Sequence, residues 1–131
     1  MEVQNIKKLD SIMKKILIVE DEQLISYFME TYVSDSGCSV VIATTDNGDD
    51  AIEIARRESP DLILMDVRIE GDKDGIEIAE IINRFSNIPI IYTSGNSDYK
   101  TTERVKKTNM IGFLTKPINR QDLIDLICSK I

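Results

Sequence analysis

Five short apolar runs punctuate the chain: Lys15–Glu20 (KILIVE), Cys38–Ala43 (CSVVIA), Asp61–Asp66 (DLILMD), Pro89–Ser94 (PIIYTS) and Ile111–Thr115 (IGFLT). Each has strand length and is rich in β-branched residues. Helical spacing fills the gaps between them. Leu24, Ile25, Phe28, Met29, Tyr32 and Val33 make one apolar stripe. Ala51, Ile52 and Ala55 make a second, Ile76, Ala79, Ile82 and Phe85 a third, and Leu123, Ile124 and Ile127 a last, which Asn119 opens as N-cap with Asp122 three residues on. A fourth helix is expected between Ser97 and Asn109, with little beyond Tyr99 and Val105 to bury. Strand alternating with helix five times predicts an α/β fold: right-handed crossovers and a parallel sheet covered on both faces. The first, third and fourth runs are nearly continuous in apolar residues and suit central strands. The second, with Ser39 inside it, suits an edge. Pro60 ends the helix before the third strand.

A chain of 131 residues with 42% hydrophobic and 30% charged positions fits one soluble domain with one core. Residues 13–131 carry the alternation. Residues 1–12 stand outside it and read as an N-terminal extension, a tail rather than an element. No apolar run is long enough to cross a bilayer, and the N-terminus lacks an apolar stretch of signal-peptide type, so a cytoplasmic location with no membrane insertion is expected. Acidic residues outnumber basic ones 23 to 16, giving a net charge of −7, which argues against direct nucleic-acid binding. Cys38 and Cys128 belong to no CxxC and read as buried thiols rather than a disulfide or metal site. The absence of histidine excludes His-based catalysis, His metal ligands and a phosphohistidine carrier.

In an open parallel sheet the strand C-termini share a crevice where ligands bind. The first strand ends in Glu20 and Asp21, the third in Asp66, the fourth in Ser94, and the fifth in Lys116 before Pro117. Taken alone, each has a bland explanation: an acidic pair suits a helix N-terminus, a lone Asp forms a turn, a Lys-Pro is a solvated loop and a Ser is inert. All of them at strand ends is a different matter. Crowded carboxylates disfavour one another's ionisation, and one lysine cannot neutralise three acids. A hard divalent cation with oxygen ligands, Mg²⁺ above all, can. Such a set suits phosphoryl transfer, with Asp66 as nucleophile forming an aspartyl phosphate.

The runs ILIVEDE, LILMDVRIEGDKDGIE, IPIIYTSGNSD and GFLTKP resemble the four signature regions of response-regulator receiver domains, over about residues 14–130. The resemblance implies a flavodoxin-like three-layer (βα)5 sandwich of strand order 2-1-3-4-5. It implies that Asp66 is the phosphoacceptor. Glu20 and Asp21 hold Mg²⁺, with Mn²⁺ as a substitute, and the Arg68 main-chain carbonyl is a further ligand. Ser94 is the hydroxyl that moves to the phosphoryl group, Lys116 pairs with that group, and Phe113 is the aromatic switch. Ser94 is preferred to Thr93 because it lies five residues after Pro89 and precedes Gly95; Thr93 should face the other way. Arg68 and Asn96 match variable positions that tune hydrolysis. Two features depart from the commonest pattern: Glu70 stands where many members have proline, and the loop Glu70–Gly75 is one residue longer.

The implied role is a phosphoacceptor that catalyses only its own phosphorylation and dephosphorylation. Its donor would be a sensor histidine kinase or a His-phosphotransfer protein. With no effector module expected, output would pass to a protein effector or through a phosphorylation-linked homodimer, by the face of the fourth helix, fifth strand and last helix. The rivals are a phosphorylation-independent pseudo-receiver and an aspartyl-nucleophile phosphatase. The first usually lacks part of the acidic set. The second resembles DxD, whereas here Arg68 holds the second acid's place and no histidine can replace it. A nucleotide-binding domain would need a GxGxxG or Walker pattern, and none is present.

Overall fold

The computed structural model of the chain describes residues 13–131 apart from 98, 100 and 101. The expected tail at residues 1–12 lies outside the described residues, as do Asp98, Lys100 and Thr101 of the expected fourth helix. The strands are β1 (Lys14–Val19), β2 (Ser39–Thr45), β3 (Leu62–Asp66), β4 (Ile90–Ser94) and β5 (Met110–Thr115). The helices are α1 (Gln23–Asp35), α2 (Gly48–Glu58), α3 (Gly75–Phe85), α4 (Glu103–Lys106) and α5 (Arg120–Lys130). All strand pairs are parallel, in the order β2-β1-β3-β4-β5. This is the flavodoxin-like topology, with β2 at an edge.

Every residue of β3 and β4 is buried, as their unbroken apolar sequence requires. Side chains alternate between two cores. Leu17, Val19, Ile63, Met65, Ile90 and Tyr92 pack under α2, α3 and α4 through Ala51, Ile54, Ile76, Ile78, Ile82 and Val105. Ile16, Ile18, Leu62, Leu64 and Ile91 pack on the other face under α1 and α5 through Met29, Val33, Leu123 and Ile127. Four helices start on side-chain caps: Asn47 accepts from the Asp50 amide at 2.9 Å, Asp74 forms a reciprocal capping box with Glu77, Thr102 accepts from the Val105 amide at 3.4 Å, and Asn119 accepts from the Asp122 amide at 2.9 Å. The helix before β3 ends at Glu58, with Ser59 left-handed at φ 46.

Four expectations need correction. Leu24 and Phe28, placed in the α1 stripe, are 66% and 45% exposed; Met29 and Val33 carry that helix's burial. Phe85, placed in the α3 stripe, is exposed and stacks under the Arg56 guanidinium at 4.7 Å. In both helices the apolar stripe is wider than the strip of sheet it covers. Among the described residues the α-helical part of the fourth helix is a single turn, Glu103–Lys106, capped by Thr102, with Val105 buried. Finally, Cys38 and Cys128 are not buried thiols. They form a disulfide, Cys128 is exposed and Cys38 half-buried. Sequence spacing could not show this, since the fold brings together residues 90 apart.

The two sides of α1 therefore differ sharply in energetic weight. Met29→Ala should cost about 2–4 kcal/mol by opening a cavity under the sheet, whereas Leu24→Ala should stay within about 0.5 kcal/mol of the parent. Urea unfolding midpoints compare the two; equal losses would contradict the placement of α1.

Candidate functional site

Parallel register brings the strand ends to one edge. Val19 pairs with Met65, Asp66 with Thr93 and Ser94 with Thr115. The ladder runs one residue beyond the strands: the Glu20 amide donates to Thr45 at 2.9 Å, the Val67 amide to Thr93 at 3.0 Å and the Lys116 amide to Ser94 at 2.8 Å. Backbone bonds thus position Glu20, Asp66, Ser94 and Lys116 independently of their side-chain contacts. The Lys116–Pro117 peptide bond is cis.

Glu20 and Asp66 are each 3% exposed, while Asp21 is half-buried. One carboxylate oxygen from each lies within 4.8 Å of the others. The Lys116 ammonium sits 3.0 Å from Asp66 Oδ2, to which it donates, and 2.9 Å from Glu20 Oε1, an ion pair without a well-directed hydrogen bond. The Arg68 amide donates to Asp66 Oδ1 at 3.0 Å, so both oxygens of that carboxylate are oriented. The Glu22 amide donates to Glu20 Oε2 at 3.1 Å and the Glu70 amide to Asp21 Oδ2 at 3.3 Å. Asp21 also lines a polar cleft of about 430 Å³ with Glu22, Asp46, Arg68 and Glu70, so the acidic cluster opens to solvent on this side.

The electrostatics are those of an under-neutralised cluster. Burial pushes the Glu20 carboxyl up to about 7; Lys116 and the Glu22 amide oppose the shift, and neighbouring Asp66 adds to it. For Lys116, burial disfavours the ammonium, but contact with Glu20 and Asp66 outweighs it and raises the pKa. Three acids against one lysine, with convergent oxygens and a solvent-facing side, fit a hard divalent cation.

The remaining expected residues surround this cluster. Ser94 is buried, and its Oγ accepts from the Asn96 amide at 3.0 Å. Thr93 is fully buried with a hydroxyl that lacks a hydrogen-bond partner. Arg68 and Asn96 are exposed at the rim. Phe113 is half-buried against the core beneath α2 and α3, with its ring 6.4 Å from that of Tyr92. Burial raises the Tyr92 phenol to about 12, so it stays protonated and shares a 2.8 Å hydrogen bond with Thr108.

Three features escaped the sequence reading. A Cβ at Gly75 would collide with the Asp66 carbonyl oxygen, and the Gly75 amide donates to Val67 at 2.8 Å. The Asp66 backbone is therefore packed on a position that admits only glycine. The dipeptide Asp74-Gly75, an N-cap followed by a residue without Cβ, was the available signal. Arg104 of α4 donates to both oxygens of Asp74, at 2.8 and 2.7 Å, tying that turn to the loop after β3. Beside Lys116, an apolar cleft of about 480 Å³ runs between Leu24, Phe28 and Tyr32 on α1 and Pro117 and Ile118.

Comparison with known proteins agrees with this geometry. Residues 16–128 match the response regulator receiver domain family. The transcriptional regulatory protein PdtaR of Mycobacterium tuberculosis is 32% identical over 114 residues, covering 87% of this chain and 55% of that protein. The chain thus spans about half the length of such curated relatives. The polar-differentiation response regulator DivK of Brucella anthropi is 29% identical over 119 residues and is 94% covered. Among solved structures, the signal receiver domain of a modulated diguanylate cyclase from Desulfovibrio desulfuricans superposes with TM-score 0.79 at 32% identity, over 88% of this chain and 90% of that one. A CheY-like receiver domain protein from Methanospirillum hungatei shares the fold at TM-score 0.80 and 22% identity, over 90% and 93% of the two chains.

Relief of the crowded charge should be measurable. Asp66→Asn should stabilise the metal-free protein by about 1 kcal/mol, as when a strained functional group is removed. Mg²⁺ should raise the Tm of the parent by mass action and raise that of Asp21→Ala much less. Thermal melts in EDTA and in Mg²⁺ make the comparison; an equal Mg²⁺ response in both proteins would refute the cluster as the cation site.

Proposed function

Since the chain belongs to the response regulator receiver domain family, we propose that it takes a phosphoryl group onto Asp66 from a sensor histidine kinase or His-phosphotransfer protein. The observation that carries this reading is the Lys116 ammonium, held 3.0 Å from the buried Asp66 carboxylate and 2.9 Å from Glu20.

Glu20, Asp21 and Asp66, with the Arg68 carbonyl, would hold Mg²⁺ (or Mn²⁺), which supplies neutralising charge for the phosphoryl oxygens. The rest follows from the chain's own groups. An Asp66 carboxylate oxygen attacks phosphorus in line, forming a P–O bond as the donor's P–N bond breaks. Lys116 then turns its charge from the free carboxylate to a phosphoryl oxygen. The Ser94 hydroxyl, 3.0 Å from the Asn96 amide, moves inward to donate to another. That shift makes room for Phe113 to turn in, and α4, β5 and α5 present a changed face to a protein effector or a second copy. Arg68 and Asn96, at the rim, set how readily water reaches the acyl phosphate. The apolar cleft beside Lys116 offers the donor protein a seat against the site.

On this reading the chain works in the cytoplasm and turns over no separate substrate. The net charge of −7 supports a protein output rather than direct nucleic-acid contact. No helix among the described residues is long and apolar enough to cross a membrane.

Incubation with acetyl phosphate and Mg²⁺ should add one phosphoryl group, read by intact mass and mapped to Asp66. Asp66→Asn should take up none, and Lys116→Ala should bind Mg²⁺ yet label poorly. Undiminished labelling of the Asn variant would sink the assignment.

A further inference from the structure

The Cys38–Cys128 bond lies at the end of the sheet opposite the acidic cluster. Cys38 directly precedes β2, and its carbonyl accepts from the Lys14 amide at 3.1 Å, so its backbone is fixed to the first residue of β1. Cys128 occupies the last turn of α5. The two Cα atoms are 6.0 Å apart, a normal span for a bridge, and 90 residues separate them in the chain. The bond therefore ties the end of α5 to the rigid sheet.

The other anchors of that helix end are few. Leu123 and Ile127 are the buried residues of α5; beyond Ile127 the side chains of Cys128, Ser129 and Lys130 are exposed, and Ile131 packs half-buried against the core. The bond itself is reachable. It borders an open cleft of about 510 Å³ lined by Met13, Lys14, Gly37, Ile127 and Ile131. A small thiol can enter such a cleft.

We propose that Cys38–Cys128 is a redox-responsive tether, opened by thiol–disulfide exchange with a dithiol reductant, that fixes or releases the end of α5. The cytoplasmic setting of this exchange rests on the function proposed above. In that compartment thiols are kept reduced, and an accessible disulfide is a transient or sensing state rather than a permanent staple. The exchange balances without further reactants. A reductant thiolate attacks one sulfur and expels the other as thiolate, and the second reductant thiol then displaces the mixed disulfide. Two electrons and two protons pass to the protein, leaving two cysteine thiols and one oxidised dithiol. Because α5 belongs to the proposed output face while the bond lies far from Asp66, reduction changes the order of that face and leaves phosphoryl uptake alone.

The test uses the full chain equilibrated with oxidised glutathione, then treated with or without dithiothreitol and with iodoacetamide. The oxidised protein should take no alkyl groups and the reduced protein two. Because the bond closes a long loop, reduction should lower Tm by about 5 °C or more. It should also speed amide exchange in residues 34–40 and 124–131. Cys38→Ser should melt at the lower temperature with or without reductant. Acetyl-phosphate labelling should agree within about twofold between the redox states, as for distant independent sites. Two free thiols in the oxidised preparation would overturn the proposal. So would reduction that leaves Tm and exchange unchanged, or one that abolishes labelling. Failure to label in both states would count against the phosphoacceptor reading and leave the thiol result standing.

Discussion

The Lys116 ammonium, shared between Glu20 and Asp66, is the interaction on which the rest of the molecule turns. Two buried carboxylates and a third at the rim cannot coexist in a low-dielectric crevice without positive charge among them. Lysine supplies one unit, which is enough to assemble the site and too little to neutralise it. The fold is arranged to make that contact: β3 ends in Asp66, Glu20 and Lys116 directly follow β1 and β5, and parallel register brings those ends level. A residual negative balance favours a cation and, on the function proposed, would prepare one carboxylate to accept a phosphoryl group. Asp66 is further fixed from behind, where Gly75 packs on its carbonyl and the Arg68 amide holds its second oxygen.

The architecture was legible where burial is complete. β3 and β4, buried at every position, read as unbroken apolar runs, and the polar residue ending each run marked the crevice. The strand order and the roles of Arg68, Phe113 and Asn96 came from the resemblance of the four motifs, because apolar pattern fixes which segments are strands but not their neighbours. Partial burial was harder to read. The α1 stripe suggested six core positions, yet Leu24 and Phe28 face solvent, because a helix on a twisted sheet covers a narrower strip than its apolar residues suggest. The disulfide was misread for a different reason. Nothing in the local sequence of Cys38 or Cys128 says that α5 ends beside the start of β2. Gly75 is the most instructive omission: its role lies in an atom it lacks and in a backbone oxygen nine residues earlier.

Around the site, the three helices that share one face of the sheet are not equally firm. α2 and α3 bury seven residues against β1 and β3. α4 is one turn, with Val105 buried. Among the described residues, Arg104 adds half-exposed ion pairs to Asp74 and Glu77, a type of contact worth little in water, and the Tyr92–Thr108 hydrogen bond holds the turn that follows. Ser94 and Phe113, the residues that would answer a phosphoryl group, flank this weakly anchored segment. On the function proposed, such placement would let a small charge displacement at Asp66 reach a surface that can reorganise without unfolding the core.

Amide hydrogen exchange, with and without a beryllofluoride mimic of the phosphoryl group in Mg²⁺, tests this coupling most directly. The account predicts the largest changes in residues 94–118, where Ser94, α4, Phe113 and Lys116 lie. Changes confined to residues 22–60 would contradict it and move the responsive face to α1 and α2.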